Sequence, residues 1–178
     1  MSYRKAALWL GLTVTGLGCG KSSPPTVTRA NQTAPAAAAS ASAAPVVDPA
    51  ILQMSLMERL QHEASTRPSA RPSVDAVAAA LSARGMRLER WKQVLASPLG
   101  ARFCMAGQTV QGNVVSVCEF GSAAQAEKGL SYSHATFDRV IPNRSLIRRE
   151  STLLTISPAG AAAENDEVKA AREIFASL

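Results

Sequence analysis

Ser131, His134 and Asp138 are the side chains of this 178-residue chain whose types and spacing suit acid–base or nucleophilic chemistry. An acyl-transfer set needs an imidazole between a nucleophile and a carboxylate, and donors aimed at a developing oxyanion. On one helix these three residues would stand in a row, one turn apart. Asp138 would then orient the His134 ring from the next turn, as i,i+4 neighbours do. That arrangement suits a histidine–aspartate pair at the edge of a core better than a catalytic triad. The other histidine, His62, stands alone in the sequence. No H-E-x-x-H, G-x-S-x-G or Gly-rich phosphate loop occurs. Cys104 and Cys118 are equidistant from Gln111, with no C-x-x-C and no cluster of four ligands around them. A metal or redox centre is therefore not expected, and no cofactor is implied.

The elements that must carry these residues follow from local signals. Asp48-Pro49 starts a helix, with Asp as N-cap and Pro in the first turn. Ile51, Leu52, Leu56 and Leu60, widened by Met54 and Met57, give it an apolar face, and Arg67-Pro68 ends it. That Met-rich face fits either a partner surface or, more simply, the domain's own core. Ser73 caps a second helix with the stripe Val74, Val77, Ala78 and Leu81, and Gly85 closes it. Met86 to Leu95 fits both a strand and a helix; the alternation of Met86, Leu88 and Val94 favours a strand. Arg84, Arg87, Arg90 and Lys92 suit a solvated face, or an anionic partner such as a lipid A phosphate.

Residues 101–108 and 113–120 read as a hairpin around Gln111-Gly112, with β-branched Val114, Val115 and Val117. Ser122-x-x-Gln125 has the pattern of a capping box. It opens a helix with the stripe Ala126, Leu130, Phe137 and Ile141, with His134 on or beside it. A second hairpin joins Leu146 and Ile147 to Leu153, Leu154 and Ile156, turning near Glu150-Ser151. Asn165 caps the last helix, whose buried face is Val168, Ala171, Phe175 and Leu178. Hairpins joined by helices imply an α+β domain: a small antiparallel sheet of two hairpins and a possible extra strand, with helices mainly on one face.

The N-terminal stretch has a different character. Arg4 and Lys5 precede an apolar run from Ala6 to Gly18 that stops at Cys19. The run is shorter than the ~20 residues of a membrane-spanning helix and has the layout of a secretory signal. Residues 1–19 resemble a bacterial lipoprotein signal peptide, with small residues Gly16 and Gly18 before the cysteine. Gly16 stands where that family prefers Leu. The resemblance implies cleavage before Cys19, acylation of Cys19 and anchoring of the chain in a membrane, since two or more acyl chains hold stably. Gly20 rather than Asp after the cysteine implies the outer membrane. An ordinary secretory peptide with a coincidental cysteine is the alternative.

Residues 20–47, nearly all Ala, Pro, Ser and Thr from Ser22 on, have little to bury. They are expected to form a disordered tether, because such a composition cannot offset its ordering entropy. The expected organisation is thus a signal peptide at 1–18, lipidated Cys19 and tether at 19–47, and one domain at 48–178. Arg4, Lys5, Lys21 and Arg29 account for four of the six net positive charges, leaving the domain near neutrality. Nucleic acid is therefore not an expected partner. In an exported chain whose Cys19 is used elsewhere, Cys104 and Cys118 make an even pair and read as a disulfide. A hairpin turning symmetrically about Gln111 would place them opposite each other.

The expectation for function is a membrane-anchored envelope lipoprotein whose periplasmic domain is a non-catalytic interaction or scaffold module with an envelope protein partner. The alternative is a hydrolase of envelope material with a site near His134. A pocket converging on His134, Asp138 and Glu119 would distinguish the second from the first.

Overall fold

The structure is a computed structural model that describes residues 44–160 and 164–178. The signal peptide, Cys19 and most of the tether lie outside the described residues. The elements in chain order are α1 (Pro49–Gln53), α2 (Leu56–Ser65), α3 (Val74–Ala83), β1 (Leu88–Val94), a 3-10 turn (Ser97–Leu99), β2 (Phe103–Thr109) and β3 (Val114–Glu119). They continue with α4 (Ala123–Phe137), β4 (Ser145–Arg149), β5 (Thr152–Ser157) and α5 (Asp166–Ser177).

The strands form one five-stranded sheet in the order β1-β2-β3-β5-β4. All neighbours are antiparallel. The first hairpin turns through Gly112 at φ 85, a backbone conformation that costs glycine little. The ambiguous stretch is a strand, β1, interrupted by a bulge between Glu89 and Lys92 where Arg90 takes φ 52. A bulge on an edge strand twists it and blunts further pairing.

Period-2 alternation divides the sheet between two apolar layers. Phe103, Val115, Val117, Leu154 and Ile156 pack against Val74, Val77 and Leu81 of α3 and against Val168, Ala171, Ile174 and Phe175 of α5. Cys104, Cys118 and Leu153 face the other way, where Ala126 of α4, Phe120 and Ala96 cover them. The α+β class and the antiparallel sheet are as the sequence implies. The helices are shared between the faces: α3 and α5 cover one, and α4 covers the other. The reason lies in β3 and β5, which carry apolar residues on both sides, as strands covered on both faces do.

Three local expectations change. The first helix is two helices, because Met54 is extended at ψ 147 and Ser55 starts a new one. Ser55 and Glu58 form a reciprocal capping box: Glu58 N–H donates to Ser55 Oγ, and Ser55 N–H to the Glu58 carboxylate at 2.7 Å. That cap satisfies donors that a continuous helix would have bonded along its axis, so the break costs little. Ile141 and Leu178 are 43% and 39% exposed rather than buried. α4 ends at Phe137, so Ile141 lies beyond the helix in a turn closed by its N–H to Phe137 O at 2.8 Å. Ile174 takes the buried place expected of Leu178.

Side-chain caps hold α3, α4 and α5, with only the Ser122 half of the expected Ser122–Gln125 box formed. Ser73, Ser122 and Asn165 accept from the backbone N–H groups of Ala76, Gln125 and Val168. The last residues of the expected tether lie against the domain. Pro45 covers Gly100, so that a Cβ built there would stand 2.9 Å from the proline ring.

Candidate functional site

Ser133, His134, Asp138 and Arg144 meet at the C-terminal end of α4. The chain leaves the helix, turns through Asn143 at φ 64 and enters β4, which brings Arg144 back beneath the helix end. Its guanidinium Nη1 donates to Ser133 Oγ at 3.0 Å, and Nη2 to Ser133 O at 2.9 Å. Nη2 also donates to Asp138 Oδ1 at 2.8 Å. The guanidinium carbon stands 5.6 Å from the centre of the Phe137 ring. Only 5% of the Arg144 side chain is exposed. A cation at the C-terminal end of a helix is also favoured by the helix dipole.

Asp138 Oδ2 lies 2.8 Å from His134 Nδ1. The hydrogen bond from Arg144, and then that from His134, holds the Asp138 carboxyl below its ordinary pKa. A carboxylate only accepts, so Nδ1 of His134 carries the proton and donates. The ring's other nitrogen, Nε2, belongs to a side chain that is half exposed. The expected histidine–aspartate pair therefore forms, but off the buried stripe. The covered positions of α4 are Ala126, Gly129 and Ser133.

The remaining candidates do not join this cluster. Ser131 is exposed and makes no hydrogen bond to His134 among the described residues. Glu119 is fully buried on the opposite face of the sheet. There it accepts from Arg67 and from the backbone N–H of Val74. His134, Asp138 and Glu119 thus do not converge on a pocket. Among the described residues, no group of three His, Cys, Asp or Glu side chains is placed to hold a metal ion.

Cys104 and Cys118 are register partners on β2 and β3. Their Cα atoms are 4.2 Å apart and their sulfurs stand at bonding distance, 2.06 Å. The short Cα separation is that of a non-hydrogen-bonded pair, the position in an antiparallel ladder where side chains come closest. Arg84, Arg87, Arg90 and Lys92 are all exposed, and none pairs with Glu89 among the described residues.

The α1–α2 pair departs most from expectation. Leu52, Leu56 and Met57 are 55%, 59% and 63% exposed. The only buried residue of either helix is Glu63. Polar bonds moor α2 to the sheet: Gln93 donates to Leu60 O at 2.7 Å, and Glu63 accepts from the Ala96 and Ser97 N–H groups. Arg59 donates to the carbonyls of Leu52 and Met54 and fixes the angle between the helices. Periodicity predicts one apolar face through these residues; the break at Met54-Ser55 divides it between two helices. That the face meets no core follows from how α2 is moored, which no single-helix pattern reports.

Among the described residues no helix is long and apolar enough to cross a membrane. No protein-family profile, curated protein or solved structure shows a match to the chain.

Proposed function

We propose that this chain is an envelope lipoprotein, anchored through Cys19, whose domain docks another envelope protein through α1 and α2 without catalysing a reaction. The observation that carries this reading is the exposure of three large apolar side chains close together in sequence, Leu52 on α1 and Leu56 and Met57 on α2. Large apolar side chains scattered singly on a surface are ordinary, whereas neighbouring ones on a fixed element mark interaction sites. Methionine suits such a surface, because its flexible thioether adapts to the partner's shape. The capping box and the Arg59 bonds hold the face in shape before any partner arrives, which lowers the ordering cost of docking. The reading places the domain in the periplasm at the outer membrane, with residues 20–47 as the tether.

The test is site-specific photocrosslinking in intact cells, with the crosslinker at Met57 and a control at exposed Arg87. A discrete adduct from Met57 alone, lost when Leu52 and Leu56 become Ser with thermal stability unchanged, is the expected result. Equal adducts from both positions, or an adduct that survives the two substitutions, would overturn the docking. The anchor has its own test. Cys19→Ser should move the protein from the membrane pellet to the soluble fraction and abolish incorporation of labelled fatty acid. Undiminished labelling would sink it.

A further inference from the structure

Beyond the α1–α2 pair, the α4 side of the sheet holds a cavity of about 230 Å³ between the C-terminal half of α4 and the β3–β5 strands. Leu99, Val114, Phe137 and Ile141 make its apolar wall. Its floor is the sheet, where alternation on β3 and β5 turns the hydroxyls of Ser116, Thr155 and Ser157 toward the helix beside Val114. Ser116 is the cross-strand partner of Thr155, and Ser157 that of Val114. None of these three hydroxyls makes a side-chain hydrogen bond among the described residues. The same face is apolar at Cys104, Cys118 and Leu153, where α4 covers it. The change from apolar to hydroxyl residues thus coincides with the opening of the cavity.

Arg144 is the only charged residue of the cavity lining. A guanidinium has five N–H donors. Ser133 and Asp138 take one from Nη1 and the bonds of Nη2, while buried Nε has no acceptor among the described residues. Buried donors, above all those of a cation, are nearly always satisfied, so this one is short of a partner. Asp138 offsets part of the charge, but it is half exposed and stands outside the lining. Its screening by water leaves Arg144 with net positive charge toward the cavity.

We propose that this cavity binds a short apolar chain that ends in a carboxylate, with Arg144 as its counter-ion and the Ser116, Thr155 and Ser157 hydroxyls as donors. A single, partly neutralised arginine balances a monoanion such as a carboxylate and does not balance a dianionic phosphate. A water occupies about 30 Å³ of liquid, so the space equals roughly eight waters, which fits a short acyl chain or one large side chain. Two sources share this chemistry: a free short-chain fatty acid, and the C-terminal residue of a peptide that ends in an apolar side chain.

The test is calorimetric titration of the full chain carrying Cys19→Ser, which needs no competing detergent. The probes are hexanoate, hexanol, and the tripeptide Ala-Ala-Leu as free acid and as amide. Hexanoate or the tripeptide acid should bind about tenfold or more tighter than its neutral counterpart. The tighter of the two acids identifies the source. Arg144→Gln should remove the preference for the acid. Because that change also touches Ser133 and Asp138, a second variant is needed. Ser116→Leu fills the cavity from the sheet side and should abolish binding with Arg144 intact. Equal binding of acid and neutral probe, undiminished binding by Ser116→Leu, or no binding of either acid at about 10 mM would overturn the proposal. Loss of crosslinking at Met57 would leave it standing, since the two sites lie on different elements.

Discussion

Glu119 and Arg67 form a two-pronged ion pair across fifty-two positions of sequence, at 2.7 and 2.8 Å. Glu119 is the last residue of β3 and is fully buried; Arg67 lies just beyond α2. The carboxylate also accepts from Val74 N–H at 2.6 Å, in the first turn of α3, where a negative charge is favoured. Arg67 stacks over the Phe103 ring at 4.4 Å and bridges to Asp75 at 2.8 Å. Its hydrogen bond to Glu119 is the main reason its pKa is raised above the ordinary arginine value. One buried carboxylate thereby fixes the α2–α3 connection against the sheet.

Glu119→Gln should lower stability by about 3–5 kcal/mol, the usual cost of leaving one partner of a buried pair uncompensated. The amide offers one acceptor where three donors now point, and its NH2 group faces a guanidinium. Urea unfolding of both proteins measures the loss. A double change to Glu119→Leu with Arg67→Met should recover much of it, because the penalty comes from the orphaned charge. A Gln variant within about 1 kcal/mol of wild type would mean that water satisfies the site.

The sequence made the local elements legible and left their meetings hidden. Ser73, Ser122 and Asn165 cap the helices they were expected to cap, and Gly85 follows α3 at φ 81. These signals are short-range and compete with little else. The break at Met54-Ser55 has an equally local signal, Ser55-x-x-Glu58, but the apolar spacing of Ile51, Leu52, Leu56 and Leu60 runs through it and conceals it. Arg144 looks like any other arginine until a turn at Asn143 folds it under α4. Glu119 shares a strand face with Val115 and Val117, so alternation marks it as a buried carboxylate. Its partner, Arg67, lies too far off in sequence for any pattern to find.

Replacing Cys104 and Cys118 together by Ala should cost about 3 kcal/mol by the chain-entropy estimate for a ring of this size. Alanine is chosen because a serine hydroxyl would be buried at these positions, where exposure is 0% and 3%. The domain should keep its fold, since Phe120, Leu153 and Ala126 still close that layer. Alkylation of exported protein without reductant checks the premise: neither thiol should be modified. Modification of both would show the bridge absent.

Gly129→Ala sets two effects against each other. In an open helix position alanine would gain about 1 kcal/mol over glycine. Here the new Cβ would stand 2.5 Å from Phe120 Cε1 and 3.1 Å from Leu99 O. Phe120 is 1% exposed and has no room to retreat. Overpacking of this kind costs about 1–3 kcal/mol, so the variant should be net destabilised. A higher melting temperature for Gly129→Ala would show that α4 can shift away from the sheet.

Asp138 should make stability depend on pH in a defined direction. Its pKa is lowered in the folded chain, first by Arg144 and then by His134. A lowered folded value means that the unfolded chain takes up its proton first as pH falls. The stabilisation is therefore full above the unfolded value of about 3.9 and is lost as pH falls through the folded value. His134 donates through Nδ1 to the carboxylate and Arg144 donates from the buried side, so both lose an ionic acceptor on protonation. Asp138 is half exposed, which holds the effect to about 1 kcal/mol or less. Asp138→Asn keeps the shape and removes the charge. Thermal melts should show wild type above the variant at neutral pH, with the gap closing in acid below the carboxylate range. A gap that stays constant with pH would mean that Asn disturbs packing and that the ionised carboxylate contributes nothing.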